Sequence, residues 1–297
     1  MSNNTLRHDW IKLCSRNRDG SHATQAARRA VLKQAANQLQ RELGFRNLRA
    51  NSIAQRHIAA LVRHWQTEQL TAGTIKNRVA HLRWAAEKVA KFGVAGITNE
   101  QLGIEKRRYA AKESKAISLS KAQMDKITDP HIQLSLRLQE QFGLRREESL
   151  KLIVNQAWQG DRLILQASWT KGGRPRELEV RMPEQRELLN QVRALTGKGS
   201  LIPAQRSYIQ HLKIYERQLS TARISRAHGL RHAYAQARYQ ELTGRPAPVL
   251  LRMQLNDANI NCKTVMNGKL SDADARQLIS RELGHERVQI TTIYLGR

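Results

Sequence analysis

The chain has few of the residues that build disulfide scaffolds, base-stacking surfaces or membrane spans. Its two cysteines, Cys14 and Cys262, stand far apart, which excludes the paired spacing of a zinc site and the density of a disulfide framework; both are interpreted as structural. Aromatic residues make up 5% of the sequence, few for the stacking platforms that bind single strands. No apolar run approaches the roughly 20 residues of a membrane span, and the N-terminus has no secretory signal. We therefore expect a cytoplasmic protein with no membrane partner.

Acidic residues are also scarce. The sequence has 51 Lys and Arg against 25 Asp and Glu, which gives a formal net charge of +26. Such an excess repels itself in a compact state unless a polyanion normally lies against it. Because the basic residues run through the whole chain and aromatics are few, duplex DNA is favoured over a membrane surface or single strands. A ribosome-associated or DNA-coating protein is an alternative on charge alone, and DNA binding would place a bacterial protein at the nucleoid.

Proline is absent from the first 129 residues, which favours helices there. A turn at residues 19–21 precedes a predicted helix that ends before Gly44, and two more helices are expected from about Ser52 and from about Thr74 to Gly93. Three or four helices would form a small bundle. The apolar positions that predict the three helices are Ala27, Val31, Ala35, Leu39 and Leu43, then Ile58, Leu61, Val62 and Trp65, then Ile75, Val79, Leu82, Ala86 and Val89.

The composition divides the chain into two expected domains. Residues 1–105 are predicted to be a helical DNA-binding domain, residues 106–117 a charged linker, and residues 118–297 a second domain that begins with a helix near Ser120. Residues 1–115 carry 22 basic and 8 acidic side chains, so the first region is the more basic per residue. In the second, residues 163–165, a turn at 171–175 and the alternation of Leu178, Val180 and Met182 predict a β-hairpin. The predicted fold class is mainly α with a small β-hairpin or sheet.

Five places hold residues suited to phosphate chemistry, and each is weak alone. Arg145 is followed by Glu148, a pairing that is more often a surface ion pair. Lys171 lies at the predicted hairpin tip, where lysines are usually just solvated. His228 and Arg231 are spaced to share one helical face, so that a guanidinium fork and an imidazole could meet one phosphate. His285 and Tyr294 follow near the end, where Tyr294 could also be an ordinary packed aromatic.

Taken together and in order, these residues resemble the tyrosine recombinases, also called the lambda-integrase family. Three boxes carry the resemblance: residues 143–148, residues 228–233, and residues 283–285 with 291–294. The family pairs a helical core-binding domain of the SAM-like type with a mostly helical catalytic domain, so the resemblance covers nearly the whole chain. It implies six catalytic residues: Arg145, Lys171, His228, Arg231, His285 and Tyr294.

The resemblance also implies a mechanism. Tyr294 would attack the scissile phosphodiester and form a 3′-phosphotyrosine, while Arg145 and Arg231 hold the non-bridging oxygens. Lys171 would be the general acid, His228 would assist proton transfer and His285 would hydrogen-bond the phosphate. The covalent link conserves the phosphodiester energy, so neither ATP nor a metal cofactor is required. The sequence agrees, because it shows no P-loop, no acidic pair at metal spacing and no Cys/His ligand cluster.

The implied partners are core sites on double-stranded DNA, a homotetramer acting on two duplexes, and accessory DNA-bending or directionality factors.

The sequence departs from the pattern of the tyrosine recombinases in two places. Arg231 and His285 are 54 positions apart, and residues 243–271 are predicted to be an inserted loop that covers the active site or touches a neighbouring protomer. Only three residues follow Tyr294, where many relatives carry a docking helix, and we expect recognition of core sites without an arm-binding domain.

The favoured function is the integrase of a mobile genetic element. Alternatives are a recombinase of the Xer type that resolves chromosome dimers, a catalytically silent DNA-binding protein of the same fold, and a type IB topoisomerase.

Arg146 stands beside Arg145, so two guanidiniums could serve as the first phosphate-binding arginine. The spacing to Glu148 favours Arg145.

Overall fold

The computed structural model describes residues 5–106, 110–111, 113–251 and 270–297. The chain forms two compact units, residues 1–108 and 109–297, each with its own hydrophobic core. No helix within the described ranges is long and apolar enough to cross a membrane. Cys14 is half-buried in the first unit, and Cys262 lies outside the described residues.

The first unit is a bundle of helices around a core that includes Trp10 and Trp65. Side-chain hydroxyls at the starts of three helices, those of Thr5, Ser21 and Thr71, accept backbone N–H groups that would otherwise lack partners. The helices are α1 (Leu6–Arg16), α2 (His22–Arg41), α3 (Gln55–Thr67), α4 (Ala72–Lys88) and the short α5 (Phe92–Ala95). The predicted faces of α3 and α4 are confirmed, since their apolar positions are buried except Val89, which is half-buried. Residues 17–21 lie between α1 and α2, and Gly20 there has φ of 84°.

The predicted buried face of α2 was partly wrong. Ala27 is exposed and Val31 is half-buried. A step of four residues overshoots a full helical turn by about 40°, so a strict four-residue repeat drifts around the helix instead of following one side. The buried face mixes steps of three and four and consists of Arg28, Leu32, Ala35, Ala36, Gln38 and Leu39.

The second unit is mostly helical with one small sheet, which confirms the predicted fold class. Strands β1 (Trp158–Gln159), β2 (Arg162–Leu165) and β3 (Arg176–Glu179) are antiparallel in the order β1-β2-β3. β3 ends before Met182 because Pro183 opens the next helix and Met182 serves as its N-cap. The helices are α6 (Lys121–Asp125), α7 (Pro130–Phe142), α8 (Arg146–Lys151), α9 (Val154–Ala157), α10 (Pro183–Thr196), α11 (Tyr208–Thr221), α12 (Gly229–Thr243), α13 (Asp272–Glu282) and α14 (Thr292–Leu295).

Helix α12 organises the second unit. It packs against α7 on one side and against α13 and α14 on the other, so that it joins the two apolar clusters of the unit. Ten of its residues are buried, and charged Arg231 and Arg238 are among them. A buried arginine needs hydrogen-bond acceptors or a carboxylate beside it, so the surroundings of α12 are where polar chemistry is expected.

Two predicted segments fall partly outside the described residues. Of the predicted linker, residues 107–109 and 112 are not described, and the backbone N–H groups of Ala111 and Ile117 donate to the carbonyls of Thr292 and Gly229. Ala111 and Ile117 are thus bonded to the second unit, and the domain boundaries stay a prediction. Of the predicted insertion at 243–271, residues 252–269 are not described, so its proposed role lies outside the structure.

Candidate active site

Arg231 lies at the centre of a buried polar cluster in the second unit. It sits in the first turn of α12 with its side chain fully buried. Its Nη1 and Nη2 groups donate to the backbone carbonyls of Gly143 and Leu283, and its Nε lies 3.4 Å from the Tyr294 hydroxyl. Burial, then the neighbouring Arg145 cation, lowers the pKa of Arg231 to about 10, so the guanidinium is charged at neutral pH.

Glu148 gathers arginines from three parts of the chain. Its carboxylate accepts from Arg145 Nη1 at 2.7 Å and from both terminal nitrogens of Arg176 at 2.7 Å, and Arg231 Nη1 lies 3.9 Å away. It also caps α8 by accepting the Arg145 backbone N–H at 2.7 Å. Burial alone would raise the pKa of Glu148, but the Arg176 hydrogen bonds and the arginine charges lower it to about 2. Three guanidiniums around one carboxylate leave an excess of positive charge suited to a phosphate.

Tyr294 lies in α14 with 5% of its surface exposed. Three imidazole rings surround the phenol, with centroid distances of 4.5 Å for His232, 5.5 Å for His285 and 6.2 Å for His228. The Tyr294 carbonyl accepts from Gln236 Nε2 at 2.9 Å, which ties α14 to α12. The candidate nucleophile is therefore held from its backbone and its hydroxyl at once.

The histidines of the cluster are neutral at physiological pH. Burial first, then nearby cations, lowers the pKa of His232 to about 4 and that of His285 to about 3, and the pKa of His228 is lowered for the same reasons. A neutral imidazole has one nitrogen free to accept a proton. One ring nitrogen of each of two histidines, Nδ1 of His232 and Nε2 of His285, is buried without a hydrogen-bond partner among the described residues.

The turn after α13 explains how His285 reaches the site. Leu283 is fully buried, Gly284 adopts a left-handed conformation with φ of 63°, and its N–H donates to the Arg281 carbonyl. This is the usual way in which a glycine ends a helix. The turn directs the Leu283 carbonyl to Arg231 and sends the chain on through His285 toward Tyr294.

Lys171 lies in the connection between β2 and β3 and is exposed. It lines an open cleft of about 910 Å³ together with Arg145, Glu148 and His228, and the exposed Arg223 and Arg226 line the same cleft. Of the six predicted residues, the structure brings Arg145, His228, Arg231, His285 and Tyr294 into one cluster and places Lys171 at the same cleft. Arg146 lines the same cleft, where it pairs with Glu216 at 3.3 Å.

Arg176 and His232 were missed as site residues. The signal for Arg176 was its position on β3, two residues before buried Leu178, because a period of two places both on the inward face. The signal for His232 was its spacing of one helical turn after His228. Glu148 served only to choose between two arginines, whereas it binds Arg145 and Arg176 directly and lies close to Arg231.

One group among the described residues could offer three ligands to a metal ion, and it lies in the first unit. His64 Nε2 is 2.9 Å from a Glu42 oxygen and 3.3 Å from a Glu68 oxygen, distances that also suit ion pairs. The candidate active site in the second unit contributes no residue to this group.

A helical unit followed by a mostly helical unit with a small sheet, whose arginines, histidines and one tyrosine surround a cationic cleft, defines the integrase class of DNA recombinases. The family model of the phage integrase N-terminal region matches residues 3–93, and the integrase model matches residues 105–237. The chain belongs to the tyrosine recombinase family. Because the second match ends at residue 237, His285 and Tyr294 are assigned on their own geometry.

Solved structures share the fold at low sequence identity. A lambda integrase dimer bound to a COC′ core site is 14% identical with a TM-score of 0.56, and covers 97% of this chain and 77% of its own. The Tn1549 transposon integrase in complex with transposon right end DNA is 12% identical with a TM-score of 0.54. The match covers 99% of this chain and 95% of the transposon integrase. XerH recombinase bound to difH is 16% identical with a TM-score of 0.51. The match covers 97% of this chain and 80% of XerH. No curated protein sequence matches the chain.

Proposed function

We propose that this protein is a site-specific recombinase that cleaves and rejoins duplex DNA through a covalent bond between Tyr294 and a 3′ phosphate, in the integration and excision of a mobile genetic element. The observation that carries the proposal is the contact between Arg231 Nε and the Tyr294 hydroxyl at 3.4 Å, next to the cluster of Arg145, Glu148 and Arg176. A phenol and a phosphate-binding guanidinium are held together, as an attack on phosphorus requires.

The arginines supply the electrostatic part of this reaction. A phosphodiester gains negative charge in its transition state, and fixed cations that face its non-bridging oxygens stabilise that charge more than the ground state. Arg145 and Arg231 take this role, and Glu148 keeps Arg145 and Arg176 in fixed orientations through 2.7 Å hydrogen bonds. Because the folded protein already holds these cations in place, no free energy is needed to reorient them during the reaction.

The chemical step conserves atoms and charge. A bond forms between the Tyr294 oxygen and phosphorus while the bond from phosphorus to the 5′ oxygen breaks. His228 takes the phenol proton through its neutral imidazole, Lys171 gives a proton to the departing 5′ oxygen, and His285 hydrogen-bonds the phosphate. The reverse sequence, with a 5′ hydroxyl of a second strand as nucleophile, rejoins the DNA. Water, ATP and a metal have no part in this sequence.

Duplex DNA, a homotetramer on two duplexes and accessory DNA-bending or directionality factors complete the proposal. The net charge of +26 suits binding along a phosphate backbone. The family description and the likeness to two integrases of mobile elements support the mobile-element role. The likeness to XerH supports a second candidate, the resolution of chromosome dimers.

The experiment that tests the proposal traps the covalent intermediate. The protein is incubated with a pool of nicked duplexes that carry randomised core sequences, so that cleavage beside the nick releases a short strand and prevents rejoining. Covalent complexes are recovered in denaturant and their DNA is sequenced. We expect one recovered sequence family from the wild-type chain, none from Tyr294→Phe, and continued adduct formation by Tyr208→Phe, a matched tyrosine substitution on α11.

The outcomes separate the alternatives. Retention of DNA under native conditions with no adduct in denaturant would identify a non-cleaving DNA-binding protein. An adduct that survives Tyr294→Phe would exclude Tyr294 as the nucleophile. Adducts without sequence preference, together with relaxation of plain plasmid, would indicate a topoisomerase of type IB.

A further inference from the structure

The position of Arg231 depends on two loops that are far apart in sequence. One carbonyl that holds its guanidinium belongs to Gly143, directly after α7, and the other to Leu283, directly after α13. A shift of either loop would move the guanidinium and the Tyr294 hydroxyl beside it. Some contact must therefore fix the two loops relative to each other.

Tyr234 contacts the loop at Gly143 and the last residue of α13 with one side chain. It lies on α12, three residues after Arg231 and therefore on a neighbouring part of the same helical face, and it is 7% exposed. Its ring lies against Gly143, so closely that a Cβ at that position would overlap it. Its hydroxyl donates to Glu282 at 2.9 Å, and Glu282 directly precedes Leu283.

The acceptor of that hydrogen bond is itself held in place. Glu282 is 5% exposed and accepts from Arg238 at 3.0 Å, and Arg181 Nη1 lies 3.7 Å from it. Burial, with the charge of Glu282, raises the pKa of Tyr234 well above its usual range, so the phenol remains a hydrogen-bond donor. Ring and hydroxyl therefore act as a spacer of fixed length between residue 143 and residue 282.

We infer that Tyr234 is a positioning residue that sets the separation of the two carbonyls clamping Arg231, and through Arg231 the placement of the Tyr294 hydroxyl. The effect on geometry stands on the contacts above, and the effect on cleavage rests on the proposed function. Tyr234 acts through its contacts with Gly143 and Glu282, which adjoin the two carbonyls that hold Arg231.

The test compares Tyr234→Phe with Tyr239→Phe. Tyr239 lies on the same helix, is 4% exposed, and donates to Asp272 at 2.6 Å at the opposite end of α13. Each substitution removes one hydroxyl and one hydrogen bond to a carboxylate while keeping the ring. Tyr234→Phe is expected to cost more thermal stability than Tyr239→Phe, because Glu282 is buried whereas the Asp272 side chain is 55% exposed. The site is therefore compared at a temperature at which both variants are fully folded.

Two readouts are recorded for each variant. The first is the ¹⁵N and ¹H shift of the Arg231 Nε group, assigned by its loss in Arg231→Lys, which reports the guanidinium environment without any DNA. The second is the rate of adduct formation at saturating protein on the duplex recovered by trapping, beside the affinity for that duplex. We expect Tyr234→Phe to move the Arg231 signal and to slow adduct formation by about 10- to 100-fold at unchanged affinity.

Tyr239→Phe should leave the Arg231 signal in place and the rate within about twofold of wild type. Equal effects of the two variants, or an unmoved Arg231 signal in Tyr234→Phe, would overturn the inference. If the wild-type chain forms no adduct, the proposed function fails, and the comparison of Arg231 signals alone still decides whether Tyr234 positions Arg231.

Discussion

Glu148→Gln tests the electrostatic organisation of the site most sharply among single substitutions. Glutamine has nearly the same shape as glutamate, so packing is retained while the one carboxylate facing three guanidiniums is lost. The side chain is 1% exposed, and its partners Arg145 and Arg176 are 21% and 6% exposed, so water does not replace the lost charge. Removing one partner from a buried ion pair costs far more than breaking an exposed one.

The magnitude follows from the titration of the carboxyl. The ordinary pKa of 4.5 and the value of about 2 for Glu148 differ by an amount that corresponds to about 3 kcal/mol of unfolding free energy. Because the pKa is lower in the folded than in the unfolded chain, this stability is present above about pH 4.5 and is lost as the pH falls toward 2. The destabilisation by Glu148→Gln should therefore shrink from about 3 kcal/mol near pH 6 to about half of that near pH 3.

The assay is urea denaturation, monitored by hydrogen exchange of the peptides that cover α12. These peptides report unfolding of the second unit alone. The control is Glu147→Gln, the same change one residue earlier on α8. Glu147 is half-exposed and pairs with Lys151 one turn along the helix, so its substitution should cost no more than about 0.5 kcal/mol. A Glu148→Gln effect below about 1 kcal/mol, or one that does not change with pH, would refute the reasoning.

The remaining predictions concern backbone geometry, histidine titration and salt. Gly143→Ala should lower the unfolding free energy by about 2 kcal/mol or more, because φ is 60° and the new methyl group would overlap the Tyr234 ring; a neutral result in urea denaturation would contradict this. Arg223→Gly should raise it by about 1 kcal/mol, because Arg223 has φ of 54°, and an unchanged or lower melting temperature would argue against strain. The His232 ring should titrate by NMR near pH 4, and a midpoint above 6 would show that it is not buried. Affinity for arbitrary duplex DNA should fall steeply with salt; an affinity unchanged on doubling the salt would exclude extensive phosphate contact.

The order of the motifs predicted most of the candidate site. Arg145, His228, Arg231, His285 and Tyr294 come from four separate elements, yet they meet in one cluster because α12 packs between α7 and α13 with α14. The family resemblance and the mainly helical fold with a small sheet are confirmed by the family models and the shared fold. The catalytic roles of the six residues stay predictions.

The contacts that hold the site together were not predictable from spacing. Arg176 on β3 donates to Glu148 on α8, although the two residues are 28 positions apart in the sequence. Tyr234 carries no motif signal, since its position on α12 fits an ordinary buried face of a helix. Its hydrogen bond to Glu282 joins residues 48 positions apart. Periodicity reports which face of a helix is buried, but it does not say which buried polar groups become partners.

Locating the covalent bond between protein and DNA tests most directly whether Tyr294 is the nucleophile. The trapped complex is digested with nuclease and protease, and the peptide that retains a nucleotide is fragmented in the mass spectrometer. We expect a 3′-linked nucleotide on Tyr294 and on no other tyrosine. A nucleotide on a different residue, or native DNA complexes that yield no modified peptide, would contradict it.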